Sequence, residues 1–174
     1  MKRTYVIPVV LVCLGLWMGT CSSRSLEVEA SQVAVIKPSA ESSETHLLVQ
    51  FTLPDILAGY SMDFACVSFV ADCAGDEGRV SFQAFPLSRA WDPRTVTWAS
   101  PWEKAGGDWS SRVSAYEISD AGSGKTVNLD VTDFANGWLR EPSKNFGVLV
   151  KVSGPFFGTF LLNEVQVPKL RVLY

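Results

Sequence analysis

The stretch Leu47-Leu-Val-Gln-Phe-Thr-Leu-Pro54 sets the fold class of this chain. Leu47, Val49, Phe51 and Leu53 fall on one face of an extended segment and Gln50 and Thr52 on the other, so the alternation of a half-buried strand repeats four times before Pro54 stops it. The same period of two recurs on both sides. Upstream, Val33, Val35 and Ile36 suggest an opening strand closed by Lys37-Pro-Ser39. Downstream, Ala65, Val67 and Phe69 alternate with Cys66, Ser68 and Val70, and Val80, Phe82 and Ala84 return after a turn at Asp72–Gly78, as in a hairpin with a long loop. A weaker strand follows around Val113–Ile118, then strands at Val127–Val131, at Phe146–Val152, which looks central, and at Phe160–Leu162 and Leu170–Tyr174. The one helical turn expected is 132–139, where Thr132 is placed to cap and Phe134 and Trp138 stand four apart on one face. Eight or nine short strands with almost no helix predict an all-β, two-sheet antiparallel sandwich.

The N-terminus has a different character. Met1-Lys-Arg-Thr4 is positively charged, Tyr5 to Met18 is an apolar run of 14 residues broken only by Pro8, and Gly19-Thr-Cys-Ser-Ser-Arg24 is small and polar. This is the order of a secretory signal peptide, and the run is shorter than the roughly 18–20 residues that span a bilayer. Residues 1–23 are therefore expected to be a leader and 24–174 a single domain of about 150 residues, large enough to bury roughly 68–70% of the surface its unfolded chain exposes. The expected location is extracytoplasmic: secreted, periplasmic or held at the cell envelope. Cys21 is placed to be the lipid-modified first residue of a lipoprotein, although Met18-Gly-Thr20 departs from the Leu-Ala-Gly usual before such a cysteine; simple cleavage nearby is the alternative.

Charge narrows the partners. The full chain carries −3, and about −5 once Lys2 and Arg3 leave with the leader. A mildly acidic domain without a run of Lys and Arg argues against nucleic acid and against an anionic membrane surface, leaving the lipid anchor as the expected membrane contact. Cys66 and Cys73 are expected in an oxidising compartment. On one extended strand they would lie roughly 23 Å apart, so bonding to each other requires a chain reversal between them, and two free thiols are the other reading.

Several segments, taken in order, resemble the DNRLRE-type domains of bacterial and archaeal exported proteins. They are Leu47–Pro54, Ala65-Cys-Val-Ser-Phe69, Trp91-Asp-Pro-Arg-Thr-Val-Thr-Trp98, Gly106-Gly-Asp108, Leu129-Asp-Val-Thr-Asp-Phe-Ala-Asn-Gly-Trp138, Asn145-Phe-Gly147 and Pro168-Lys-Leu-Arg-Val172. The resemblance covers roughly residues 26–174. It departs from the family at Asp92-Pro93, where Glu is usual, and the string that names the family is missing. It implies a jelly-roll-like sandwich in which Trp91, Trp98 and Trp138, with Phe51, Phe69 and Phe146, pack the core. Some relatives are carbohydrate-binding modules beside polysaccharide-active enzymes; no attached enzyme is encoded within this sequence.

Trp102 and Trp109 fall outside those recurrent positions, on a segment rich in Pro, Gly and Ser. Their rings beside Glu103, Lys104 and Asp108 have the composition of a sugar-binding platform, an apolar face with convergent polar groups. The alternative is that both fold back over the end of the sandwich. His46, the only histidine, is expected at the surface, without a second imidazole for a metal and without the elbow motif of a serine hydrolase. Asp130 and Asp133 are expected to organise the start of the short helix. A structural calcium is compatible with such a sandwich, but no loop of EF-hand spacing is present. The expected function is a non-catalytic exported module binding a polysaccharide or other glycan. A structural or adhesive protein contacting protein partners is the alternative, and a polysaccharide-active enzyme ranks third.

Overall fold

The computed structural model describes residues 23–39, 42, 44–73, 80–110, 114–118, 124–153, 160–162 and 167–174. Cys21 and the expected leader lie outside them. Among the described residues there are nine strands: β1 Ser25–Ile36, β2 Thr45–Phe51, β3 Phe64–Cys73, β4 Val80–Pro86, β5 Ser114–Ile118, β6 Lys125–Asp130, β7 Val148–Ser153, β8 Phe160–Leu162 and β9 Lys169–Leu173. One helix, α1, spans Thr132–Arg140, and single 3-10 turns lie at Asp55–Leu57 and Pro142–Lys144.

All strand pairs are antiparallel, in the order β5-β4-β7-β2-β1-β9-β3-β6, with β8 added on β3. The expected all-β class, strand number and short helix are therefore observed. The two sheets are not separate, however. Residues Ser25 to Glu29 of β1 pair with β9 and residues Ala30 to Ile36 pair with β2, with a register shift between Ala30 and Gln32. An irregularity of this kind bends a strand and raises its twist. One sheet thus folds over on itself, barrel-like, with β1 as the strand that both halves share.

The inward side chains are those that alternation predicts. Leu47, Val49 and Phe51 of β2, with Phe82 of β4 and Val148, Val150 and Val152 of β7, face Ala65, Val67 and Phe69 of β3, Leu129 of β6 and Leu170 and Val172 of β9. Phe69 meets Phe82 across this core with ring centroids 5.8 Å apart. Phe134 and Trp138 of α1 plug it, as their spacing of four predicts.

Two expectations are corrected. β3 and β4 do not form a hairpin: β3 pairs with β6, β8 and β9, whereas β4 pairs with β5 and β7, so the 74–79 connection joins opposite halves. Alternation along each strand is the same whether neighbours pair or face each other, so it could not distinguish the two. Thr132 does not cap α1, whose N-cap is Val131. The Thr132 hydroxyl instead donates to Asp130 Oδ1 at 2.7 Å and accepts the Ala65 N–H at 2.9 Å, while Asp130 Oδ1 also accepts the Thr132 N–H at 2.9 Å. Cys66 and Cys73 share β3, so they cannot bond to each other, and Cys66 is a free buried thiol.

Candidate functional site

The second apolar cluster of the molecule lies on the outer face of the β2–β4–β7 half. Leu48 and Leu149 point away from the main core, and Ile36, Leu87, Trp91 and Trp102 close over them, with Val96, Trp98, Trp109 and Phe146 packed alongside. A strand buried on both faces reads as an unbroken apolar run, as Leu47-Leu48-Val49 and Val148-Leu149-Val150 do. Trp91, Trp98 and Phe146 thus pack this outer layer, while Phe51, Phe69 and Trp138 pack the inner core.

The covering segment is fastened by its indoles. Trp91 Nε1 donates to the Phe146 carbonyl at 2.9 Å, and Trp102 Nε1 to the Thr97 carbonyl at 3.0 Å. Trp102 is only 7% exposed. It offers no open face to a ligand, which removes it from the expected platform. The Pro- and Gly-rich composition that suggested an exposed loop belongs to a segment whose ring fills a gap over Leu149.

His46 lies beneath this cover and is 1% exposed, which corrects the expectation of a surface ring. Its Nδ1 is 2.6 Å from the Gly106 carbonyl, an oxygen that only accepts, so Nδ1 carries the proton. In the neutral ring Nε2 is then an acceptor facing Glu44 Oε1 at 3.3 Å, which explains why this contact makes no hydrogen bond; Lys151 Nζ holds the same carboxylate oxygen at 2.8 Å. Burial pushes the imidazole below its ordinary value, against the opposing pull of the Gly106 carbonyl and the Glu44 carboxylate. The ring also sits 4.6 Å from Trp98 and edge-on to Trp109 at 5.9 Å. The sequence signal for this burial was the position itself: His46 shares its face of β2 with Leu48.

Trp109 is less deeply covered than Trp102. Half-buried between His46 and Phe85, its ring borders a cleft of about 390 Å³ lined by Ser88, Arg89, Glu103, Lys104, Gly107, Asp108 and Trp109. Four of the five expected contact residues, Trp109, Glu103, Lys104 and Asp108, therefore converge. Arg89 joins them without having been singled out from sequence.

Asp108 is already engaged. Its carboxylate accepts the backbone N–H groups of Glu103 at 2.9 Å and Lys104 at 3.0 Å, and the Arg89 Nε at 2.8 Å. Burial works to raise its pKa, but those two N–H groups and the guanidinium together hold it below the usual carboxylate range. Arg89 also pairs with Glu103, whose side chain is otherwise exposed. A larger groove of about 450 Å³ on the outer face of the β3–β6–β9 half includes Lys169 and Arg171, both paired with Glu27. It has no exposed aromatic ring among the described residues.

Among the described residues no three His, Cys, Asp or Glu side chains gather as metal ligands. No helix among them is long and apolar enough to cross a membrane. No protein-family model matches the chain, and no curated protein is significantly similar to it.

Proposed function

We propose that this chain is a non-catalytic exported module, of the kind the DNRLRE-type resemblance implies, that binds carbohydrate in the cleft beside Trp109. The observation that carries this reading is the cleft itself: one partly exposed indole next to a hydroxyl, two cations and two carboxylates, around a space of about 390 Å³. Sugar rings present C–H faces to an aromatic ring and hydroxyls to polar groups at its edge. Asp108 does not suit the role of a glycosidase proton donor. A glycosidase acid keeps its proton near neutral pH through a raised pKa, whereas Asp108 is held low by three donors.

The test is retention of the full chain on a panel of immobilised polysaccharides. Trp109→Ala is expected to weaken retention about tenfold or more, because one stacked ring contributes on the order of 1–2 kcal/mol. Trp102→Ala should instead lower the unfolding midpoint, with a loss of roughly 3–5 kcal/mol for a buried indole. Binding that survives Trp109→Ala would move the site elsewhere, and no retention on any polysaccharide would sink the carbohydrate reading.

A further inference from the structure

The covering segment leaves the sheet and returns to it at one point. Leu87 bridges Trp109, the Ser88 N–H donates to the Asp108 carbonyl at 3.0 Å, and the Ser110 N–H to the Pro86 carbonyl at 3.2 Å. Between these ends the segment bonds mainly to itself. Trp102 Nε1 donates to the Thr97 carbonyl, the Gly106 N–H to the Trp98 carbonyl at 2.7 Å, and the Asp108 carboxylate gathers Glu103, Lys104 and Arg89. Among the described residues, two hydrogen bonds join residues 89–107 to the body of the fold. They run from Trp91 Nε1 to the Phe146 carbonyl at 2.9 Å and from His46 Nδ1 to the Gly106 carbonyl at 2.6 Å. The rest of the hold is packing of Trp91, Val96, Trp98 and Trp102 on Ile36, Leu48, Leu149 and His46. A segment closed at its neck and tied to itself can leave a sheet face as a unit while the ladder below stays paired.

One of those two bonds starts from a buried group that titrates. The charged groups facing His46 are Glu44, whose carboxylate favours an added proton, and Lys151 of β7, which opposes it. From β1 its register partner is the apolar Ile36, and the cover presents the Gly106 carbonyl, Trp98 and Trp109. Burial outweighs the attraction of the two acceptors, so the shut form holds the imidazole below its ordinary range. Lifting the cover returns the ring to water, where it takes a proton more readily. Below about pH 6.5 the open form therefore binds more protons than the shut form, and acid shifts the balance towards it.

We propose that residues 88–109 form an acid-sensitive lid, which lifts from the outer face of β2 and β7 about its Leu87–Trp109 neck when His46 takes up a proton. At neutral pH the ring is uncharged, the two hydrogen bonds and the packing hold, and the open form is a minor state. A single proton bounds the effect: the open population grows by at most about tenfold for each unit of pH below 6.5. Every residue lining the cleft beside Trp109 belongs to this segment, so acid gives the cleft a route to release what it holds. That consequence rests on the carbohydrate reading. The movement of the lid does not.

Hydrogen exchange in the full chain, resolved by nuclear magnetic resonance, tests this with no polysaccharide present. The indole N–H of Trp91 reports on the lid, because it exchanges when its bond to the Phe146 carbonyl breaks. The amides of Leu47–Val49 in β2 report on the sheet. Each rate is divided by the rate of an unprotected group at the same pH, which gives the fraction of time the site is open. From pH 7.5 to 5.5 the open fraction at Trp91 is expected to rise about threefold to tenfold and to stay above that of the β2 amides. In His46→Gln the rise is expected to vanish. Exchange at Trp91 in step with the β2 amides at every pH overturns the proposal, since only the whole fold then opens. An open fraction that stays flat in the native chain, or a rise that persists in His46→Gln, overturns it as well. Should His46→Gln fail to fold, the native chain decides through the first two of these results, because it holds no other histidine to titrate in that interval. A cleft that retains no polysaccharide leaves all of these measurements unchanged.

Discussion

At the scale of single residues, His46 is the group whose chemistry the fold changes most. It is the only histidine in the chain, so any titration between about pH 5 and 7 in stability measurements reports on it. Because burial depresses its folded pKa below the ordinary 6.5, the unfolded chain takes up a proton first as the pH falls. Stability is therefore full above about 6.5 and declines as the pH drops from there towards the folded value. The carboxylates held low by their partners, Glu27, Glu44, Asp92 and Asp108, act only further down, below about 4.5. Urea midpoints at about pH 7.5, 6.5 and 5.5 should fall across the lower interval in the native chain. In His46→Gln, which keeps a donor for the Gly106 carbonyl but does not titrate, that slope should vanish; a slope that persists would show that another group is responsible.

At the scale of elements, the segment 88–109 holds its shape by close backbone approach and by one carboxylate. Gly107 has φ +125°, and a Cβ there would come within 2.5 Å of Leu149 Cδ1; Gly106 has φ +94° under Trp98. The Gly-Gly-Asp motif thus has a steric reason in its first two residues and an electrostatic one in its third. Gly107→Ala should cost about 1–3 kcal/mol, read as a lowered denaturant midpoint with unchanged slope, and a neutral effect would contradict this geometry. Asp108→Ala should leave far-ultraviolet dichroism intact but speed tryptic cleavage after Arg94 and Lys104 several-fold, since two backbone N–H groups and Arg89 lose their acceptor.

At the scale of the whole molecule, the sheet between the two apolar clusters ties them together. Leu47, Val49, Val148 and Val150 face the inner core from the strands that send Leu48 and Leu149 into the outer one. Near-ultraviolet dichroism, dominated by the tryptophan segment, should consequently lose its signal at the same temperature as the far-ultraviolet band. An earlier loss in the near-ultraviolet would mean that the segment melts as a separate unit. The strands, the helical turn and the inward faces were legible in the sequence because side-chain direction along a strand is a local property with period two. The partners of β3 and β4, the sharing of β1 by both halves, the burial of His46 and which of Trp102 and Trp109 is covered were not legible. Each depends on what lies across a sheet face, and that is set by segments distant in sequence, such as Gly106 over His46 sixty residues away. The amino-acid sequence by itself determined an all-β chain with alternating apolar faces and a tryptophan-rich covering segment. Only the tertiary structure decided that the sheet closes through β1 and that Trp102 is buried while Trp109 reaches a cleft, because burial is a relation between faces and a sequence specifies one face at a time.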